Sequence, residues 1–268
     1  MQMILKVLAY ALAGYLAFVS IVFLFQRKLL YLPYQSQFSK ESATREGLHH
    51  WPSSQNFRGF IGQDEMIDAK GTVIVFHGNA GTAFHRSFYA KALSRQNNRV
   101  VLAEYPGYGA RDGRPSEKVL VDDALEIIRL VYQEYGEPLF LWGESLGCGV
   151  VSSAVNATNI PINGIVLLLP WDTLPNLAQT HYWYFPTRWL VLDKYNNIEN
   201  LQGFEGNIAV LLAENDEVVP VQHGQQLYDS ITTTKKLWLF EDTRHNEFPI
   251  DPEQQWWGEV VDFVMQND

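Results

Sequence analysis

The chain has 268 residues, 47% of them apolar and 13% aromatic, with a net charge of −10. That is enough apolar material for one large domain with a buried core. The absence of a basic run argues against a nucleic-acid partner, and a single cysteine, Cys148, excludes an intramolecular disulfide.

The first element is an apolar run, VLAYALAGYLAFVSIVFLF, from Val7 to Phe25, closed by Arg27 and Lys28. At about 1.5 Å per residue it reaches roughly 28 Å, close to the hydrocarbon thickness of a bilayer. It ends in Phe-Leu-Phe-Gln-Arg-Lys, without the small residues of a cleavage site. A retained single-span anchor over residues 1–28 is therefore expected, ahead of a cleaved signal or a buried amphipathic helix. The balance of positive charge tilts slightly toward a cytoplasmic catalytic domain.

Residues 29–268 read as the catalytic domain. Short extended pieces, Gly47–Trp51 and Phe57–Ile61, come first. A buried strand follows at 72–78, then a helix from Thr82 to Gln96 and a strand at 99–107. Ser116 can cap a helix that runs to about Tyr135, with apolar residues at helical spacing. Further strands are expected at 138–143, 164–170, 207–214 and 235–241. Helices are expected at Leu146 to Ala157, Gln222 to Ile231 and Pro252 to Met265. Continuous apolar strands alternating with helices predict an α/β fold, with a mainly parallel sheet covered on both faces. Residues 171–206 form an insert that reads as a small cap. Its cluster HYWYFPTRWLVLDKY (181–195) has three readings: a lid over an acyl pocket, a membrane-interface belt, or core filling.

Ligands in such sheets bind outside the carboxyl ends of the strands. There the sequence places LWGESLGCG, in which Ser145 stands between Gly143 and Gly147. A strand that turns at once into a helix forces the corner residue into a strained conformation. The closest neighbours must then be small. The corner lifts the serine hydroxyl clear of the sheet and aims the Leu146 N–H at a developing oxyanion. A serine needs a base. Asp216, in ENDEVVP, and His245, in EDTRHNEFP, each follow a strand, in the order serine, acid, histidine. Ser145 would attack, His245 would carry the proton and Asp216 would orient the imidazole. Asn79, in the glycine-rich turn HGNAG, is the expected second oxyanion donor. His77 would brace that turn, whereas His85, His181 and His223 show no paired acid. Cys148 reads as a packing residue. No spacing suggests a metal, and no cofactor is expected.

Together, TVIVFHGNAG, EYPGYGARDGRPSE, LWGESLGCG, ENDEVVP and RHN resemble the α/β-hydrolase superfamily. More narrowly, they resemble its single-pass, membrane-anchored serine hydrolases, the serine aminopeptidase-like and protein-depalmitoylating α/β-hydrolase-domain proteins. The resemblance covers roughly residues 28 to 266. It implies the same triad and the same oxyanion donors, Asn79 and Leu146. One departure is Arg111, where the family often has serine in a loop near the cleft. The expected activity is cleavage of an ester, thioester or amide through an acyl-enzyme, on an acylated or membrane-proximal substrate, with ester chemistry preferred. The rivals are a peptidase with the same triad and a silent membrane receptor or scaffold.

Overall fold

The computed structural model describes residues 1–62 and 68–266. It begins with a 29-residue helix, α1 (Gln2–Leu30), whose apolar window is not buried against the rest of the chain. This helix is long and apolar enough to cross a membrane. It ends at Leu30, two residues beyond the expected boundary, and the following Tyr31 is extended and buried. A two-residue strand, β1 (Leu32–Pro33), and a short helix, α2 (Lys40–Arg45), lead into the sheet.

The sheet is built from β2 (Leu48–Trp51), β3 (Gly59–Gly62), β4 (Thr72–Phe76), β6 (Arg99–Ala103), β7 (Leu139–Glu144), β8 (Gly164–Leu168), β9 (Asn207–Ala213) and β10 (Lys235–Phe240), with β5 (Ala80–Gly81) pairing apart with β1. Its order is β10-β9-β8-β7-β4-β6-β3-β2. The six strands from β10 to β6 run parallel, and β3 and β2 close the far edge antiparallel. The central strands β4, β7 and β8 are buried almost throughout, as their unbroken apolar sequences require.

Helices cover both faces. On one side α4 (Glu117–Tyr135) and α5 (Leu146–Ala157) pack through Leu120, Ile127, Val150 and Val151. On the other side α3 (Ser87–Ser94) and α10 (Trp256–Met265) pack through Tyr89, Trp257 and Val260. Ser116 accepts from the Val119 N–H, which caps α4 as its sequence predicts. Helix α9 (Val221–Ser230) lies one residue from its expected bounds.

Two helices are shorter than expected. Residues Ala83–Arg86 form a 3₁₀ turn before α3, with the Ala83 N–H held by Glu104. Helix α10 starts at Trp256, not Pro252, because Asp251 organises a turn over the intervening residues: its carbonyl accepts from Gln254 N–H and from the Trp257 indole. Between β8 and β9 lie three short helices, α6 (Leu174–His181), α7 (Thr187–Leu190) and α8 (Asn197–Asn200), which form the cap above the carboxyl end of the sheet.

Candidate active site

Ser145 occupies the one-residue corner between β7 and α5, at φ 49° and ψ −111°. A non-glycine residue held there carries on the order of 1–3 kcal/mol of strain, and the surrounding backbone fixes it. The Ser145 N–H donates to Leu168 O at 2.8 Å, and its carbonyl accepts from Cys148 N–H at 2.8 Å. The two glycines are needed for space. A Cβ on Gly147 would lie 1.9 Å from the Phe76 carbonyl oxygen, and one on Gly143 would lie 2.7 Å from the Cys148 backbone. The Ser145 hydroxyl makes no hydrogen bond to a described residue.

Beneath the corner, Glu144 forms a bidentate ion pair with Arg86 (3.1 and 2.5 Å) and accepts from Tyr89. Burial pushes the Glu144 carboxyl up, but the Arg86 guanidinium outweighs it and the net shift is downward. Cys148 donates its thiol to Gly143 O and Leu168 O, and burial pushes that thiol well above its usual range. It is a buried packing residue and not a reactive one.

Asp216 follows β9 and His245 follows β10, so neighbouring parallel strands deliver both to the same rim. Asp216 Oδ2 meets His245 Nδ1 at 2.7 Å, while Oδ1 accepts from the Val218 and Val219 N–H groups at 2.8 and 2.6 Å. Two carboxylates near Asp216 in sequence do not meet the imidazole nitrogens: Glu214 accepts from Asp242 N–H, and Glu217, which also lines the cavity beside Ser145, accepts from His245 N–H at 3.5 Å and faces Arg244. No hydrogen bond joins Ser145 Oγ to His245. Such contacts are often open in ligand-free sites and tighten around substrate. The N–H groups of Asn79 and Leu146 have no hydrogen-bond partner among the described residues, which leaves both free to serve an oxyanion.

Two other histidines are tied to carboxylates. His77 braces the turn as expected, through Gly78 O at 2.7 Å and Glu104 at 3.1 Å. His223 corrects the sequence reading, because it has an acid: Asp172 Oδ1 lies 2.7 Å from its Nδ1, and Thr180 Oγ1 lies 2.9 Å from its Nε2. The pair joins the cap to α9 across 51 residues of sequence, which no local pattern reveals. His181 reaches Val218 O at 2.8 Å. Arg111 also departs from expectation. Its guanidinium turns to Asp123 on α4 and to Glu104 O, away from the cleft. Among the described residues no group of three His, Cys, Asp or Glu side chains is disposed to hold a metal ion.

Ser145, Leu146 and Asn79 open into a cavity of about 930 Å³, large for a small-molecule site. Its walls are mainly apolar. Leu174, Leu177 and Phe185 come from the cap, Val218 and Val219 from the loop after β9, and Phe18, Val22 and Leu30 from α1. The membrane-type helix is thus one wall of the cavity, a role its sequence does not disclose. It is fastened there by Arg27, which grips Asp193 with two hydrogen bonds (3.1 and 2.9 Å), by Tyr31, which donates to the same carboxylate, and by Gln26, which bonds Leu190 O and Leu192 N–H.

A parallel-rich sheet with a strained serine corner and an Asp–His pair on the following strands defines an α/β hydrolase, and the chain belongs to that superfamily. The family model for serine aminopeptidase, S33, matches residues 67–194. Among curated proteins, lysophosphatidylserine lipase ABHD12 of Danio rerio is 34% identical over 62% of this chain and 48% of its own length. The Gallus gallus protein of the same name is 31% identical over 71% and 57%. An uncharacterized protein of Mycobacterium tuberculosis is 29% identical over 83% and 81%. The chain spans about half the length of the lipases it matches. Of solved structures, Pyrococcus furiosus esterase Pf2001 superposes with a TM-score of 0.63 at 14% identity, over 88% of this chain and 97% of that one. Paleococcus ferrophilus monoacylglycerol lipase gives 0.56 at 19%, over 73% and 94%.

Proposed function

We propose that the protein is a membrane-anchored serine hydrolase that cleaves the ester bond of a lipid carrying an acyl chain. Residues 1–28 are the anchor and residues 29–268 the catalytic domain, with the cap at about 171–206. What supports this reading is a strained serine corner that opens into a large apolar cavity, together with an Asp216–His245 pair 2.7 Å apart on the loops after β9 and β10. The lipase names of the curated relatives agree with it.

In this reading Ser145 Oγ attacks the acyl carbonyl carbon while His245 Nε2 takes its proton, and Asp216 stabilises the imidazolium. The Asn79 and Leu146 N–H groups receive the oxyanion. Collapse breaks the ester C–O bond, and the alcohol leaves with the proton from His245. Water then repeats the sequence on the acyl-enzyme and returns the free serine and a carboxylic acid. Charge after the span (Arg27, Lys28, Lys40, Arg45) against Lys6 before it favours a cytoplasmic catalytic domain.

The test is a panel of p-nitrophenyl esters, monoacyl phospholipids, acyl-CoA thioesters and aminoacyl amides, with wild type and Ser145→Ala. Esters are expected to be cleaved fastest, and Ser145→Ala to lose at least about a thousandfold. Rates untouched by the substitution would remove Ser145 from the mechanism. Preference for amides would favour the peptidase. Absence of a fluorophosphonate adduct on folded protein would favour a silent receptor.

A further inference from the structure

The cap and α1 are in contact far along the helix. The Phe185 ring packs against Tyr15 and Phe18, with centroids 5.9 and 5.5 Å apart, and Tyr15 OH donates to Tyr184 O at 2.9 Å. Tyr15 and Phe18 lie twelve and nine residues before Arg27, which marks the charged end of the span. At 1.5 Å per residue that is about 18 and 14 Å along the axis. Half of a hydrocarbon core is about 15 Å. Even a 40° tilt leaves roughly 10 to 14 Å of depth. Whatever surrounds α1 at that level therefore surrounds the tip of the cap.

The tip is built for an apolar surrounding. Trp183 and Trp189 are 78% and 83% exposed, and Tyr182, Tyr184 and Leu192 are about half exposed. Between 182 and 192 the single charge is Arg188, whose long side chain can reach the headgroups. The backbone makes the same point. In lipid, a carbonyl without a donor costs several kcal/mol. Here five consecutive carbonyls are supplied: Tyr182 O by Phe185 N–H, Trp183 O by Gln179, Tyr184 O by Tyr15, Phe185 O by Gln179 and Thr187 N–H, and Pro186 O by Trp189 N–H.

We propose that residues 182–192 insert into the same bilayer leaflet as α1. The cavity mouth then lies at acyl-chain depth, between helix and cap tip, and the substrate chain enters sideways without leaving the membrane. This rests on reading α1 as a span and the cavity as an acyl site. Phe18 and Phe185, which meet at that depth, both line the cavity that reaches Ser145.

The experiment uses the full chain in nanodiscs of phosphatidylcholine brominated at the 6,7 positions of one acyl chain, with wild type and Trp183→Phe/Trp189→Phe. Tryptophan quenching is expected in wild type and is expected to fall by at least half in the double variant. Equal quenching in both would overturn the proposal, as would unquenched tryptophans in a chain that cross-links as a dimer, which would assign the face to a second copy. This readout needs no catalysis, so it stands or falls apart from the hydrolase reading. A second arm compares a bilayer-resident ester with water-soluble p-nitrophenyl acetate for Trp183→Glu/Trp189→Glu. Neither residue lines the cavity. The bilayer substrate is expected to be cleaved about tenfold more slowly and the soluble one at the wild-type rate. Equal loss on both, or loss on neither, would overturn lateral entry.

Discussion

Replacing Asp216 by asparagine tests the site at the atom where its geometry is most constrained. Asp216 Oδ1 accepts two backbone N–H groups, from Val218 and Val219, while Oδ2 meets a single partner, His245 Nδ1. An asparagine has one oxygen and one NH₂ to distribute. Turning the NH₂ toward Val218 and Val219 sets donors against two donors, so the oxygen stays there and the NH₂ faces His245. Nδ1 must then accept, the ring proton moves to Nε2, and the nitrogen proposed to serve Ser145 can no longer take a proton. The expected loss is about 10⁴ in kcat, or about 5.4 kcal/mol. Fold stability should change little, because both N–H groups keep their acceptor. The assay is kcat on a p-nitrophenyl ester with full-length protein, alongside a thermal melt. A loss below tenfold in a variant that melts normally would refute the assignment and return Glu214 or Glu217 to consideration.

Two further predictions concern the corner and its support. Gly147→Ala, whose Cβ would fall 1.9 Å from the Phe76 carbonyl, should lower stability by 3 kcal/mol or more, to about the upper end of overpacking costs. Gly203→Ala, with positive φ but open space, should cost only about 1–2 kcal/mol of backbone strain, and comparable urea melts for the two would refute the steric argument. Glu144→Gln leaves Arg86 without its charge partner and should cost on the order of 3 kcal/mol at pH 7. Because the folded Glu144 pKa is lowered, its contribution is complete above the unfolded value and is lost as pH falls through the folded one. The deficit of the variant should therefore shrink below about pH 4.3, and a deficit that is constant or grows toward acid in urea melts would contradict the ion-pair account.

What the sequence disclosed was local. The corner at Ser145 could be read because the glycines that permit it stand two residues to either side. The strands could be read because burial on both faces leaves unbroken apolar runs such as TVIVF and GIVLL. The order of Ser145, Asp216 and His245 could be read because parallel strands put each following loop at one rim. What escaped depended on partners outside any local pattern, from 12 to 166 residues away. Asp172 finds His223, Arg111 finds Asp123, and Arg27 finds Asp193 across 166 residues, with no period or spacing to announce any of them. The three readings of the aromatic insert stayed open for the same reason: its neighbour is a helix at the other end of the chain, so composition alone cannot tell a lid from a membrane belt.

The cap is attached unevenly, and this bears on how it works. Its base is held to the hydrolase body. Asn197 N–H donates to Asp172 O, Glu117 on α4 accepts from the Lys194 and Tyr195 N–H groups, and Asp172 with Thr180 clamps His223. At its C-terminal end, α6 is also joined by His181 to Val218, whose own N–H supports Asp216. Displacing α6 would therefore strain the loop that holds Asp216, the proposed catalytic acid, so in that reading the cap base cannot swing freely without a cost to catalysis. The tip is different. Its polar ties outside the cap run to Tyr15 and Gln26 on α1. In the proposed reading, movement that admits a chain falls at the seam between tip and helix, where lipid can replace the ring contacts of Phe185 with Tyr15 and Phe18. In that reading a rigid base keeps Asp216 aligned while the edge against α1 faces the supply of substrate.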